Sequence, residues 1–515
     1  MLKTDILFGN NMVLQRDRDI MVWGEGKPLS TVEVTIQGQK VSSACDQDGK
    51  WKVTLKPLKT SFSETMIIRS GEETLTYNNV QVGDVWLAGG QSNMEFLMKY
   101  DIDIEKERTS AVENDIRFFD YPKVSYAGQI NERDYMKCFG YWQCSDPENL
   151  QIYSAVAYYF AKHIKKQMNI PVGILGCNWG GTCIASWMTR ESISDAGHND
   201  ILDEYDKVVA GLDMAAYEAR FQMLPDSYRV TPFANPMIEM LMYGATTEEF
   251  QEKLKEAGMD LSAGNIADFL PQLGPKSELR PAGLYEAMLL PIAEYKIAGV
   301  LWYQGESDGD VRREGYDRLL KHMIIDWRNL FGKEIPFIVM QLPPFGTWMT
   351  NDGNNYVSIR ASQQKVSDDT EDVYLATISD GGEKFNIHPR NKAIAGQRMA
   401  LIALNYVYKK TVGCEAPRLR SAVLSGQSLE LNFDYAYEGL SIPDSCQLPE
   451  LSFWNESVEI KPEIKSVKAY GNTVYIELAD APGEVTGVSL GYSGWFVMNI
   501  LNSEKIPARP GKIEL

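Results

Sequence analysis

Hydrophobic and polar residues change rhythm three times along the chain. Over residues 1 to about 80 they alternate singly: STVEVTIQGQKV puts Val32, Val34 and Ile36 on one face, and WKVTLKP does the same with Trp51, Val53 and Leu55. Alternation with period two marks half-buried strands, and the intervening DQDGK carries the Asp-Gly signal of a hairpin turn. A small antiparallel β domain is predicted for this stretch. The segment also opens like a calcium loop, but the twelfth position from Asp46 is Pro57 where a glutamate is needed, which excludes an EF-hand.

From about 81 to 410 short apolar runs alternate with segments of helical period. The runs Asp84–Ala88, Val172–Leu175, Ile297–Trp302, Phe337–Leu342 and Val373–Ile378 read as strands, and QIYSAVAYYFAKHIKKQM and NKAIAGQRMALIALNYVY read as helices. Such alternation predicts a parallel sheet covered by helices on both faces, an α/β fold. Residues from about 195 to 290, with TTEEFQEKLKEAGMD at their centre, interrupt it as an acidic, helix-prone insertion between core strands. After about 410 the alternation returns in SLELNFDYAYEGL, SVKAYGNTVYIEL and VTGVSLGYSGWFVMNI, predicting a β-rich C-terminal domain over 411–515.

Charge narrows the partners. A formal net charge of −19 argues against nucleic acid and anionic membrane surfaces. No apolar stretch reaches the roughly 20 residues that span a bilayer. Seven cysteines, at 45, 138, 144, 177, 183, 414 and 446, are scattered and odd in number, the usage of free thiols in a reducing compartment. The opening MLKTDILFGNN lacks the apolar run of a secretory signal. The expectation is therefore a cytoplasmic protein, or an exported one if a leader has been removed. Oligomeric state is not legible.

In open α/β sheets ligands bind beyond the carboxyl ends of the strands. Four predicted strands end in glycine-rich loops with reactive side chains: GGQSNM, GCNWGGTCIASW, YQGESDGD and SDGGEKFNIHPRNK. In the first, Ser92 follows two glycines and a glutamine. It suits either a helix N-cap or a nucleophile exposed on a strand-to-helix corner. The chain has four histidines. His163 lies on the apolar stripe of a helix, His198 in a solvated loop of the insertion, and His322 in another helix. His388 follows a strand, precedes a proline in an irregular loop, and is the candidate base for Ser92.

The blocks VWLAGGQSNME, NWGGTCIASW, LWYQGESD and IHPRNKAIAGQRMA together resemble the sialate O-acetylesterase family of carbohydrate esterases, and LFGNNMVLQRD resembles the start of its N-terminal β domain. The resemblance runs from near residue 6 to near residue 408. It implies a flavodoxin-like SGNH hydrolase α/β/α sandwich over 81–410 with flanking β-rich domains, and hydrolysis of acetyl esters on sugar hydroxyls. Ser92 would be the nucleophile and His388 its base, passing through an acetyl-serine. The backbone N–H of Ser92 and that of Gly180 would receive the developing oxyanion, with the amide of Gln304 as a third donor. The implied substrate is an acetylated sugar, sialic acid or one derived from plant polysaccharide such as acetylxylan or acetylmannan.

The third member of a triad is less legible. Many hydrolases of this kind place an aspartate three residues before the histidine, where this chain has Phe385, and Asn386 carries no charge. The orienting carboxylate is then Asp380, favoured because it ends the fifth strand, or Glu306 of the QGE block, or Glu383, or is absent. Trp179, Trp302, Tyr303 and Trp348 flank these loops as a sugar platform or as core, with Trp302 read as core. No ligand spacing suggests a metal, and nothing resembles a phosphate loop or a dinucleotide fingerprint, so no cofactor is expected. The competing readings are a non-catalytic carbohydrate-binding protein and a lipase or thioesterase on the same fold.

Overall fold

Apolar β-branched and aromatic runs assemble the central sheet. The computed structural model describes residues 1–110, 113–131, 140–223, 247–256, 272–443, 448, 450–455 and 458–515. Within them one sheet runs in the order Trp142–Ser145, Glu113–Asp120, Val172–Asn178, Glu73–Gly90, Gly299–Tyr303, Phe337–Met340 and Val373–Ala376. The first strand is an antiparallel edge and the other six are mutually parallel. Helices Ala155–Met168, Tyr316–Phe331, Tyr356–Asp369 and Lys392–Ile402 connect or follow these strands, which makes the chain a mixed α/β protein. All five predicted core strands are present. The strands Glu113–Asp120 and Trp142–Ser145 were not read from sequence, because the first carries Arg117, a cation that is buried in the sheet and bonds to Gln81 Oε1.

The strand Glu73–Gly90 organises the molecule. Its first half pairs antiparallel with Ser61–Ser70 in the N-terminal β region, and its second half is the middle of the parallel sheet. Earlier strands in the sequence that pair with it do so away from its end, while Val172–Asn178 flanks it on one side and Gly299–Tyr303 on the other. The chain order reverses at this strand, the switch point beyond whose carboxyl end folds of this class bind ligands. One apolar cluster extends continuously from Leu2 to Cys414, so the N-terminal strands share the core of the parallel sheet.

The N-terminal turn reading needs one correction. DQDGK does not close a hairpin: Gln39–Ala44 pairs with Thr31–Ile36, whereas Lys50–Leu55 pairs with Ile20–Glu25 in a different sheet. Asp46 Oδ1 accepts from the N–H groups of Asp48 and Lys50 and folds the segment into a tight link between sheets. The hairpin turn is instead Gln37–Gly38, both with positive φ of 46° and 73°, the geometry of a two-residue primed turn.

In the insertion, Asn199–Ala210, Met214–Met223 and Thr247–Glu256 are helical, while 224–246 and 257–271 lie outside the described residues. The C-terminal part forms two four-stranded antiparallel sheets around a second apolar cluster that includes Leu429, Phe433, Phe453, Ile476 and Val488. Among the described residues no helix is long and apolar enough to cross a membrane. Cys45, Cys144, Cys177, Cys183 and Cys414 are free thiols, and Cys138 and Cys446 lie outside the described residues.

Candidate active site

The corner after the central strand depends on glycine. Gly90 has φ of 137°, and a Cβ there would sit 2.1 Å from the Tyr303 carbonyl oxygen of the neighbouring strand. A Cβ on Gly89 would meet the Trp327 ring at 2.7 Å. The chain turns there into the short helix Ser92–Glu95, whose N-cap is Gln91. Ser92 is thus the first helical residue, and Gln91 holds the cap position. Its Oγ lies 2.9 Å from Nε2 of His388. The two residues are 296 positions apart in the chain, and both are buried.

His388 stands in a loop held by side chains. Its backbone N–H donates to Asn386 Oδ1 at 2.9 Å, and Asn386 Nδ2 donates to Glu383 Oε2 at 3.1 Å. Glu383 Oε1 accepts from the Arg390 N–H at 2.7 Å, so Glu383 is a clasp of the loop rather than a solvated acid. The Trp348 ring meets the imidazole edge-on with centroids 6.0 Å apart. Trp302, by contrast, is fully buried among Trp187 and Trp327, the core position expected for it.

Asp380 and Glu306, two of the carboxylates proposed for the triad, have other partners. Asp380, the favoured candidate, forks onto Arg398 of the helix Lys392–Ile402 at 2.5 and 2.7 Å. Glu306 Oε1 accepts from Asn93 Nδ2 at 2.5 Å. Its other oxygen is buried with no hydrogen-bond partner, and burial raises its pKa against the opposing bond from Asn93.

Two expected oxyanion donors are also placed differently from the sequence reading. Gln304 is fully buried, and its amide nitrogen donates to Asp308 Oδ2 at 2.6 Å, to Gln91 Oε1 at 3.2 Å and to the Thr182 carbonyl at 3.2 Å. Tyr316 donates to Gln304 Oε1 at 2.8 Å. These bonds spend the amide inside the protein, tying three strand-end loops together, so the structure does not offer it to a substrate. Gly180 is beside the nucleophile, since a Cβ there would lie 3.3 Å from Ser92 Cβ. Its N–H donates to Glu95 Oε2 at 2.5 Å. Ser92 N–H precedes the first bond of its helix, which Met94 N–H makes to the Gln91 carbonyl.

Sequence reasoning missed four side chains. Gln91 Oε1 accepts from Gly305 and Ser307 N–H groups as well as from Gln304. Glu95 occupies the Gly180 donor. Asn93 and Lys392 form a buried contact, Lys392 Nζ donating to Asn93 Oδ1. Burial pushes Lys392 down to about 7, opposed by the carboxylates of Glu306, Asp101 and Glu383. Burial likewise raises Asp308 to about 6. The polar positions at 91, 93 and 95, spaced around Ser92, were the one visible signal. His198 also departs from its reading: it is buried against Arg318, with 3.2 Å between Nε2 and Nη2.

Known proteins resemble this chain in sequence and fold. Residues 274–404 match the family of carbohydrate esterases described as sialic acid-specific acetylesterase. The sialate O-acetylesterase of Mus musculus is 24% identical over 463 residues, covering 83% of this chain and 78% of that protein. The Homo sapiens protein of the same name is 25% identical, covering 83% and 75%. A carbohydrate acetylesterase from Xanthomonas citri shares the fold with a TM-score of 0.75, at 24% identity over 99% of both chains. These matches bear out the resemblance carried by the four motif blocks: the chain is a carboxylic ester hydrolase of the carbohydrate esterase kind, similar along most of its length to sialate O-acetylesterases.

Proposed function

We propose that the protein removes O-acetyl groups from sugars by a serine mechanism in which Ser92 and His388 do the chemistry, on a fold of the flavodoxin-like SGNH kind with flanking β-rich regions. The observation that carries this reading is the 2.9 Å contact between Ser92 Oγ and His388 Nε2 at the switch point of the parallel sheet. His388 Nε2 takes the hydroxyl proton as Oγ attacks the acetyl carbonyl carbon. The tetrahedral intermediate collapses, the C–O bond to the sugar breaks, and His388 returns the proton to the leaving hydroxyl. Water, deprotonated by the same ring, then attacks the acetyl-serine and releases acetate.

The negative charge on the carbonyl oxygen needs donors fixed in advance. Ser92 N–H at the helix start is one. The Gly180 N–H already receives an anionic oxygen, that of Glu95, and in the reaction the substrate oxygen competes with that carboxylate for the donor. Trp348, edge-on to His388, and Trp179, beside Gly180, are the aromatic side chains that would border a sugar ring. The first substrate class to test is O-acetylated sialic acid, which the relatives' names suggest, with acetylated xylan and mannan beside it.

The test is acetate release over that panel by the wild-type protein and by Ser92→Ala. Complete loss of turnover in a variant that keeps its fold is expected. A folded Ser92→Ala protein that retains most of the activity would refute the serine mechanism.

A further inference from the structure

Behind the serine and histidine lies a buried charged pair that the mechanism above does not use. Asn93, the residue after the nucleophile, is fully enclosed, and Lys392 and Glu306 are nearly so. Lys392 Nζ donates to Asn93 Oδ1, while Asn93 Nδ2 donates to Glu306 Oε1 at 2.5 Å and to the Ile387 carbonyl at 3.0 Å. The Ile387 carbonyl belongs to the same peptide group as the His388 N–H, which is itself held by Asn386. The side chain next to the nucleophile therefore grips the peptide that carries the base.

An asparagine amide can be placed either way round, and only its surroundings choose. An ammonium group can only donate, and an ionised carboxylate or a carbonyl can only accept. With Lys392 on one side and Glu306 and the Ile387 carbonyl on the other, turning the amide over would set NH₂ against NH₃⁺ and oxygen against two acceptors. The charges thus lock Asn93 in the orientation that holds the His388 peptide. Lys392 is in turn fixed at its backbone, where its N–H donates to Asp101 Oδ2 at 2.9 Å, and its ammonium lies 4.4 Å from the Phe96 ring centroid.

We propose that Lys392 and Glu306 are a positioning pair which, through the Asn93 amide, holds nucleophile and base in register. The inference rests on the assignment of Ser92 and His388 as the reacting pair. Neither residue touches substrate, so their effect falls on the rate of the chemical step and not on sugar binding. The charges that face Lys392 are the carboxylates of Glu306, Asp101 and Glu383, with the Tyr303 ring beneath. In its protonated form Lys392 is a cation within two hydrogen bonds of the His388 peptide, and ionised Glu306 is an anion at the same remove. Removing the cation makes protonation of His388 easier, and removing the anion makes it harder.

The experiment measures kcat, KM and the pH profile of kcat/KM on one acetyl ester for the full chain and for Lys392→Met, Lys392→Arg, Glu306→Gln and the double variant Lys392→Met/Glu306→Gln. Lys392→Met is expected to lower kcat roughly 10- to 100-fold, as small misplacements of reacting groups do, with KM nearly unchanged. Its acidic limb moves to higher pH, and that of Glu306→Gln moves to lower pH. The double variant loses less than the product of the two single losses, because no lone charge is left buried. Lys392→Arg recovers part of the rate. If Lys392→Met keeps wild-type kcat and an unshifted limb, the positioning pair is refuted. If that variant does not fold, Glu306→Gln decides: a wild-type rate and limb refute the proposal, and a slowed rate with a limb moved down supports it. Activity surviving in Ser92→Ala would instead remove the reading on which the inference rests.

Discussion

Replacing Gln304 by alanine separates a substrate donor from an internal strut. A donor that points at substrate loses about 10²–10³ in kcat when truncated and leaves stability alone. Gln304 points elsewhere. Its truncation removes the 2.6 Å bond to Asp308 Oδ2, a carboxylate that is itself fully buried, and the bonds to Gln91 Oε1 and the Thr182 carbonyl. A hydrogen bond to a charged group contributes about 1.5–3 kcal/mol, and each buried group left unpaired costs about 1–3 kcal/mol. Asp308 keeps its bond from the Ile184 N–H and Gln91 keeps those from Gly305 and Ser307, so both are only partly stranded. Thr182 loses the amide, and Tyr316 retains the Gln304 backbone carbonyl at 3.1 Å. The sum is about 3–5 kcal/mol of lost stability, a large part of a typical total of about 5–15 kcal/mol. Urea unfolding of Gln304→Ala reads this directly, and kcat on a simple acetyl ester is measured in the same preparation below the transition. Wild-type stability combined with a hundredfold loss of kcat would refute the strut and restore the oxyanion role.

Two further substitutions probe the same region. Asp380→Asn breaks the fork to Arg398, so it is expected to cost about 1–2 kcal/mol of stability while kcat stays within a few-fold; a loss near 10⁴ would make Asp380 the orienting acid after all. Asp308→Asn tests the burial of a charge. The folded-state pKa of Asp308 is raised from 3.8 to about 6, so its protonated form favours folding at low pH and that stability is lost as pH rises through about 6. The asparagine variant has no proton to lose, and its melting temperature should gain on that of the wild type between about pH 4 and pH 7; a constant difference across that range would show that Asp308 titrates normally.

How much of this was legible depends on whether a residue's neighbours are near in sequence. The five core strands were visible because parallel strands buried on both faces are short apolar runs. The glycine loops at their ends pointed to Ser92, Gly180 and His388, which meet beyond the end of the central strand, since the fold class says where strand ends face. Arg117 hid a sixth parallel strand, because nothing local announces that a cation will be enclosed. Lys392 reads as an ordinary basic residue at a helix start, and its partner Asn93 lies 299 positions away. Gln304 and Asp380 were correctly placed at strand ends but wrongly aimed. Direction is set by the partner each side chain meets, and Asp308 four positions on takes Gln304 while Arg398 of the following helix takes Asp380.

The distribution of polar groups around Ser92 follows a physical division of labour. The groups that tie the loops to one another are amides, Gln91, Asn93 and Gln304, and a fourth amide, Asn386, braces the His388 loop from within. An amide carries both donors and an acceptor, so one side chain can bridge an N–H to a carbonyl, and its hydrogen bonds do not change with pH. A charge in the same place would add a field that changes with pH beside a histidine whose task is to gain and lose a proton. Charged groups stand one layer back instead, where each fixes the orientation of an amide: Asp308 that of Gln304, Lys392 and Glu306 that of Asn93, and Glu383 that of Asn386. Glu95 departs from this arrangement, a carboxylate on the Gly180 donor with no amide between. An anionic oxygen already resting there is displaced only by another oxygen that carries comparable negative charge. A neutral ester carbonyl is a weak competitor, whereas the tetrahedral oxyanion is a strong one. If the substrate oxygen takes the Gly180 donor as proposed, it does so as the oxyanion and not as the ester carbonyl, so the exchange would act at the transition state.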